Sequence, residues 1–216
     1  MQILMNTGGL ADTNAFLIAD ENAKVAVIFD APDSTVLPLL EQANARGWDV
    51  IGLWLTHGHF DHIADHAVVT SHYPNAQVLI HKLEEPKLQN PGVQSRMFQL
   101  PFTIPARSAD ALVEDGQELL IGALRVKVIH TPGHAPGHVM FHFPKEEVLV
   151  GGDLIIGGSV GRTDLPDSSH ADLLSSIRKI MKLPPTTRLL PGHGQPSTLA
   201  EELKSNPFVR EALAIR

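Results

Sequence analysis

The segment "THGHFDH", residues 56 to 62, places His57, His59, Asp61 and His62 directly after the apolar stretch "DVIGLWL". Imidazole nitrogens and carboxylate oxygens are ligands for divalent cations, so this spacing suits metal chemistry. On a regular helix His57 and His59 would point to nearly opposite sides. In an extended turn leaving a strand, alternate side chains point the same way, and the two rings can converge on one ion. A helix beginning near Asp61 would send Asp61 and His62 in a new direction, toward a second ion.

Three further residues complete the set. His134 lies in "HTPGHAPGH", between glycines and prolines that fix a tight turn. Asp153 ends the strand-like "EEVLVGGD", and His193 lies in "PGHG". Each follows an apolar strand, where a rigid sheet can present several ligands at one rim. His57, His59 and His134 form a set for one metal, and Asp61, His62 and His193 a set for another. Asp153 has two oxygens with which to bridge metals ~3.5–4 Å apart. Zinc suits such ligands, with a position left open for water. The positive charge that two aspartates and a hydroxide leave uncompensated would stabilise an oxyanion and keep a bridging water deprotonated near neutral pH. A lone histidine, such as His72 or His142, is more often a surface or core residue. The complete arrangement points to hydrolysis at a metal centre.

The elements that must position these residues are legible in outline. "QILMNT", "NAFLIAD" and "KVAVIFDA" are rich in branched and aromatic residues and predict three strands. Ser34 is placed to cap a helix through "TVLPLLEQANAR" to Gly47, and strand 49–55 leads into the histidine-rich turn. "IADHAVVTSHYP" predicts a helix closed by Pro74, and "QVLIHK" a strand. Residues 83–110 lack periodicity and hold Pro86, Pro91, Pro101 and Pro105, reading as a long loop of the functional or mobile kind. Strands follow at "LRVKVIHT", "HVMFHFP" and "EEVLVGGD". Ser168 is placed to cap a helix through "HADLLSSIRKIMKL", which stops before Pro184. "TRLLPGHG" gives a last strand and turn, and "STLAEELKSN" a closing helix. Runs of strands with helices after each run predict one α+β domain over residues 1–216, two sheets between helical layers.

Composition removes other classes. With 43% hydrophobic and 19% charged residues the chain can build a core. A net charge of −7 argues against a nucleic-acid-binding face. No cysteine is present, which excludes disulfides, thiolate metal sites and a cysteine nucleophile. No apolar run approaches the roughly 18 residues that span a bilayer. "MQILMNTGGLADTN" lacks a basic leader followed by an apolar run, so a cytoplasmic protein is expected.

With these motifs in hand, the chain resembles the metallo-β-lactamase superfamily along its whole length: Asp30 closing a strand, then "THGHFDH", "TPGHAPGH", "GGD" and "PGHG". The resemblance implies an αββα four-layer sandwich with the metals at one edge. "GGDLIIGGSVGRTDLP" and "PGHGQPSTLAEELKSNPF" are similar to short glyoxalase II-like hydrolases, which cleave thioesters such as S-lactoylglutathione to an acid and a thiol. That implies the same seven ligands, Asp61 also taking a proton from the attacking water, and zinc, iron or manganese as the metal pair. Two departures stand out. The glyoxalase II helical domain that contacts glutathione is expected to have no counterpart, as residues 194–216 are too few to form it. "DAPD" at 30–33 replaces the usual Asp-Pro-Gly, though Asp30 still reads as the acceptor that orients the histidine turn. Arg162, on the glycine-rich loop beyond Asp153, stands where relatives contact the glutathione part of the substrate; pairing with Asp164 or Asp167 is the alternative. Arg96 and Arg107 are candidates for further anionic contacts, more simply read as solvated. His138 reads as turn support and His66 as neighbouring polar packing.

Other readings compete. "GGSVG" at 157–161 matches the G-x-S-x-G of serine hydrolases, with Ser159 as nucleophile, but the "VGRTDLPDSS" that follows is loop-like and a nucleophile elbow needs a helix there. A mononuclear iron persulfide dioxygenase of the same fold is the nearer rival, and "PGHGQPST" favours the hydrolase over it. The expected partner is a small thioester, glutathione-derived, with neither nucleic acid nor membrane.

Overall fold

In the computed structural model, which describes residues 1–214, the chain forms two units: Met1–Val113 with Leu120–Leu124, and Glu114–Leu119 with the chain from Arg125 onward. The first unit opens with β1 (Gln2–Gly8), β2 (Thr13–Asp20) and β3 (Val25–Phe29), paired antiparallel in that order. Helix α1 (Leu37–Arg46) then crosses to β4 (Asp49–Trp54), which runs parallel to β3. Helices α2 (Phe60–Ile63) and α3 (His66–His72) lead to β5 (Gln77–His81), parallel to β4. Helices α4 (Glu85–Gln89) and α5 (Gly92–Met97) precede β6 (Ala111–Val113), which closes the sheet β1-β2-β3-β4-β5-β6. β2 is buried at every position, as a strand covered on both faces must be. Leu17, Ile28, Leu39, Leu40, Leu53 and Ile80 belong to this unit's core.

The second unit carries the first two residues of β7 (Glu118–Ile121), all but the first residue of β8 (Leu124–His130), and β9 (Val139–Phe143) and β10 (Val148–Gly152). A hairpin of β11 (Ile155–Ile156) and β12 (Ser159–Val160) follows, then α6 (His170–Ile180). β13 (Arg188–Pro191), β14 (Ser197–Thr198), α7 (Leu199–Ser205) and α8 (Pro207–Ala214) complete it. Its sheet runs β14-β13-β10-β9-β8-β7. β9 is antiparallel to both β8 and β10, and β13 is parallel to β10. The carboxyl ends of β8, β10 and β13 therefore lie along one edge of this sheet. Helix α6 buries Leu173, Leu174, Ile177 and Ile180, the three-to-four spacing that lays one stripe on a sheet.

Several boundaries differ from the sequence reading. Helix α1 starts at Leu37, because Ser34 takes a left-handed backbone (φ 57°) that belongs to the turn; Gly47, also left-handed, ends it as expected. The helix expected after the histidine turn is two helices with a break at Ala64–Asp65, where the backbone N–H of Asp65 is drawn to the carbonyl of Ala31 (2.8 Å). Residues 83–110 are not one loop but contain α4 and α5. The cap of α6 is Ser169, whose hydroxyl accepts from the Asp172 N–H (3.3 Å), while the Ser168 hydroxyl donates to the Leu165 carbonyl. α8 follows the helix expected to close the chain. Among the described residues no helix is long and apolar enough to cross a membrane.

Candidate metal centre

In the first unit the site grows from the carboxyl ends of two adjacent parallel strands. Asp30 follows β3 with a left-handed backbone (φ 57°), a conformation that short polar residues tolerate, and this turn aims its carboxylate at the segment after β4. Its Oδ1 accepts the Thr56 N–H (2.8 Å), and its Oδ2 accepts the Thr56 hydroxyl (2.8 Å) and lies 2.8 Å from His62 Nδ1. A carboxylate only accepts, so Nδ1 of His62 carries the hydrogen and Nε2 the lone pair. Thr56 gives its own proton to Asp30, so it can only accept from His57 Nδ1, 3.1 Å away. His57 therefore also directs an Nε2 lone pair outward. One buried carboxylate thus sets the tautomer of two histidines, His62 directly and His57 through a hydroxyl.

The ligand atoms of this unit lie close together. His57 Nε2 is 3.1 Å from His59 Nδ1, and His62 Nε2 is 3.4 Å from Asp61 Oδ2. The Thr13 hydroxyl donates to the same Asp61 oxygen (2.8 Å). His57 and His62 are fully buried, with His59 and Asp61 nearly so.

In the second unit the three sequence-predicted ligands stand on the strand ends named above. His134 lies in the 131–138 turn between β8 and β9, and its Nδ1 donates to the Arg162 carbonyl (2.9 Å), leaving the lone pair on Nε2. Asp153 Oδ2 is 3.5 Å from His134 Nε2 and 3.3 Å from His193 Nε2. Asp153 and His193 meet because β10 and β13 are parallel neighbours whose pairing shifts register at Gly152, after which the Gly192 N–H donates to the Gly152 carbonyl (2.7 Å). Gly161 allows the loop beyond Asp153 to lie against both ligands. A Cβ there would sit 2.2 Å from the Asp153 carbonyl oxygen and 2.8 Å from the His134 ring.

These four ligand–ligand separations, 3.1 to 3.5 Å, test whether the residues fit a metal. Charge-assisted hydrogen bonds close to about 2.7–2.9 Å. Two ligands ~2.0–2.1 Å from one tetrahedral ion stand about 3.3 Å apart. The residues keep the spacing of ligands around a cation, and the donor set, imidazole with carboxylate, is that of zinc, iron or manganese.

His138 is fully buried and joins turn to strand. The Asp153 N–H donates to its Nε2 (2.9 Å), so its Nδ1 carries hydrogen and donates to the Thr131 hydroxyl (2.8 Å). Both ring nitrogens are engaged in structure, in line with its reading as turn support. His66 Nε2 lies 2.8 Å from the Pro105 carbonyl, and burial lowers the pKa of its ring. Arg162 is more than half exposed and forms a two-pronged ion pair with Asp164 (2.6 and 2.8 Å), which holds the Asp164 carboxyl down at about 2. Arg107 pairs with Asp110 (2.7 Å), and Arg96 is exposed. Ser159 lies in β12 of a short hairpin, and the next helix begins only at His170, so no nucleophile elbow forms around it. Sequence reasoning missed Thr13, Thr56, Glu84 and Gln94, all buried beside the ligands. Only Thr56, adjoining His57, had a positional signal.

Comparison with known proteins agrees with this geometry. The model of the metallo-beta-lactamase superfamily matches residues 8–193. The probable metallo-hydrolase YqgX of Bacillus subtilis (strain 168) is 31% identical over 206 residues, covering 95% of each chain. The hydroxyacylglutathione hydrolase GloC of Haemophilus influenzae is 30% identical over 198 residues, 91% of this chain and 92% of its own. Among solved structures, BLEG-1 B3 metallo-beta-lactamase superposes with a TM-score of 0.88 at 36% identity, covering 96% of this chain and 99% of the other. TTHA1623 in a di-iron-bound form gives 0.84 at 34% identity, with 95% and 99% covered.

Proposed function

The chain belongs to the metallo-beta-lactamase superfamily, and from that premise we propose that it is a two-metal hydrolase of thioesters, of the hydroxyacylglutathione hydrolase type. His57, His59 and His134 would hold one ion and Asp61, His62 and His193 the other, with Asp153 available to both. The observation that carries this reading is the ligand spacing. In particular, a single oxygen of Asp153 stands 3.5 Å from His134 and 3.3 Å from His193, which supports a carboxylate shared by the two sets. GloC supports the thioester class and TTHA1623 a pair of metals, iron among them.

Bound there, divalent ions supply Lewis acidity, acidifying water and offsetting charge that builds on a carbonyl oxygen. The protein's own part is orientation. Asp30 holds His57 and His62 with their Nε2 lone pairs outward, and Thr13 fixes one oxygen of Asp61. Asp61 takes a proton from the attacking water and returns it toward the departing thiolate. Arg162 anchors an anionic part of the substrate, exchanging its partner Asp164 for it.

The test is metal analysis of the purified protein with a panel containing S-lactoylglutathione, other S-acylglutathiones, a glutathione-free thioester and a chromogenic β-lactam. We expect thioester hydrolysis that a chelator abolishes and added divalent metal restores. Undiminished turnover of the metal-free protein, turnover of the β-lactam alone, or oxygen uptake with glutathione persulfide would each overturn it.

A further inference from the structure

The chain between the two leading candidate histidines lies in no helix or strand: the Leu55 N–H still donates to the Leu79 carbonyl of β5 (2.9 Å), and residues 56–59 then run on to α2 outside any strand ladder. Backbone groups in such a buried stretch need partners from elsewhere. Gly58 finds both of its partners in side chains far along the chain. Its N–H donates to Glu84 Oε2 (3.0 Å), and its carbonyl accepts from Gln94 Nε2 (2.8 Å). The same Gln94 amide accepts the Phe60 N–H through its oxygen (3.0 Å), so one side chain spans the two peptides that flank His59. Glu84 is fully buried and Gln94 nearly so, and the Lys87 ammonium, 3.0 Å from Glu84 Oε2, offsets the buried charge. The packing is direct: a Cβ on Gly58 would meet the Glu84 carbonyl oxygen and Lys87 Cβ at 2.9 Å.

We propose that Glu84 and Gln94 are positioning residues for the metal centre, a clamp that fixes the Gly58 peptide and thereby holds His57 Nε2 and His59 Nδ1 at chelating distance before any ion arrives. The inference rests on the metal-centre reading above but assigns a task to the 83–97 segment that the ligand motif does not contain. Asp30 sets the rings of His57 and His62 from the strand side, and the clamp sets the backbone between His57 and His59 from the other. A chelate made of two rings two residues apart keeps its bite only if the intervening peptide cannot rotate. Gln94 presents a donor and an acceptor in one rigid plane, which suits it to lock that peptide.

The test measures metal affinity rather than turnover, by competition between the protein and a chromogenic chelator for Zn²⁺. Gln94→Glu keeps shape and an acceptor for the Phe60 N–H but turns an oxygen on the Gly58 carbonyl. It should weaken the binding of one ion by about 10–100-fold, with thermal unfolding of the metal-free protein showing that the fold persists. Glu84→Gln, which retains an acceptor for the Gly58 N–H, should keep more affinity than Glu84→Ala. Because a variant can fail to fold, hydrogen exchange on the unaltered metal-free protein gives a second measure: the Gly58 and Phe60 amides should be protected like those of β3 and β4. Parental affinity in Gln94→Glu, or rapid exchange at those two amides, overturns the clamp while leaving the metal centre standing. A parent protein that takes up no Zn²⁺ overturns the metal-centre reading and the clamp with it.

Discussion

At the scale of single residues, the site depends on which ring nitrogen carries hydrogen. Asp30 has three donors on two oxygens. Asp30→Asn would turn an NH₂ toward at least one of those donors, leaving an N–H or O–H facing a second donor and releasing the ring it oriented. We expect metal affinity to fall by about 10–100-fold, read by chelator competition; affinity equal to the parent's would show that the histidines need no such orientation. Arg162 is the complementary case, since it already has a partner in Asp164. If it anchors substrate, Arg162→Ala raises KM for an anionic thioester more than it lowers kcat. A fall in kcat with unchanged KM would assign it to the transition state instead. Asp30 was legible from its place at a strand end. The Arg162–Asp164 pair was one of two alternatives the sequence left open, because charge pairing on a loop depends on backbone course.

At the scale of elements, α6 does more than cover its sheet. The Ser169 N–H donates to the Gly133 carbonyl (2.7 Å) and the Ser176 hydroxyl to the Pro132 carbonyl (2.7 Å), tying the helix to the turn that carries His134. The Ser169 side chain, by contrast, accepts the Asp172 N–H. Ser169→Ala keeps the backbone tie and loses the cap, so urea unfolding should show a cost of about 1 kcal/mol with metal stoichiometry unchanged. A cost indistinguishable from zero would mean that the tie alone starts the helix. Sequence placed this cap one residue early because adjacent serines, Ser168 and Ser169, present the same chemistry. Which of them caps follows from the hydrogen bond to Gly133, a contact no local pattern reveals. The same holds for α4 and α5: short helices broken by prolines lack the periodicity that marks longer ones.

At the scale of the whole molecule, stability carries a pH dependence that can be assigned. His142 on β9 is buried opposite Lys127 and Leu149, and burial, reinforced by the Lys127 charge, holds its pKa below the ordinary 6.5. A histidine whose folded pKa is depressed binds more protons unfolded than folded. Its stabilising effect is therefore present above the unfolded value and is lost as pH falls through the folded one. His142→Phe removes that titration at a residue that also lines an open pocket of about 410 Å³. Between pH 7.5 and 5.5 the metal-free variant should lose less stability than its parent, as followed by urea unfolding. An identical slope would place the acid sensitivity elsewhere, for example at His66, whose pKa burial also lowers.

The ligand types, their spacing and the strands that carry them are local properties, written in hydrophobic runs and in turns rich in glycine and proline. For that reason the sequence alone determined the α+β class and the superfamily, and it named seven candidate metal ligands. What only tertiary structure decided are the partners that hold those residues still. Glu84 and Gln94 reach Gly58 across 26 and 36 residues, and Asp153 meets His193 through a register shift between two parallel strands. Hydrogen bonds between distant segments leave no periodic trace in a chain, since any buried carboxylate or amide can serve and only the path of the backbone selects which one does.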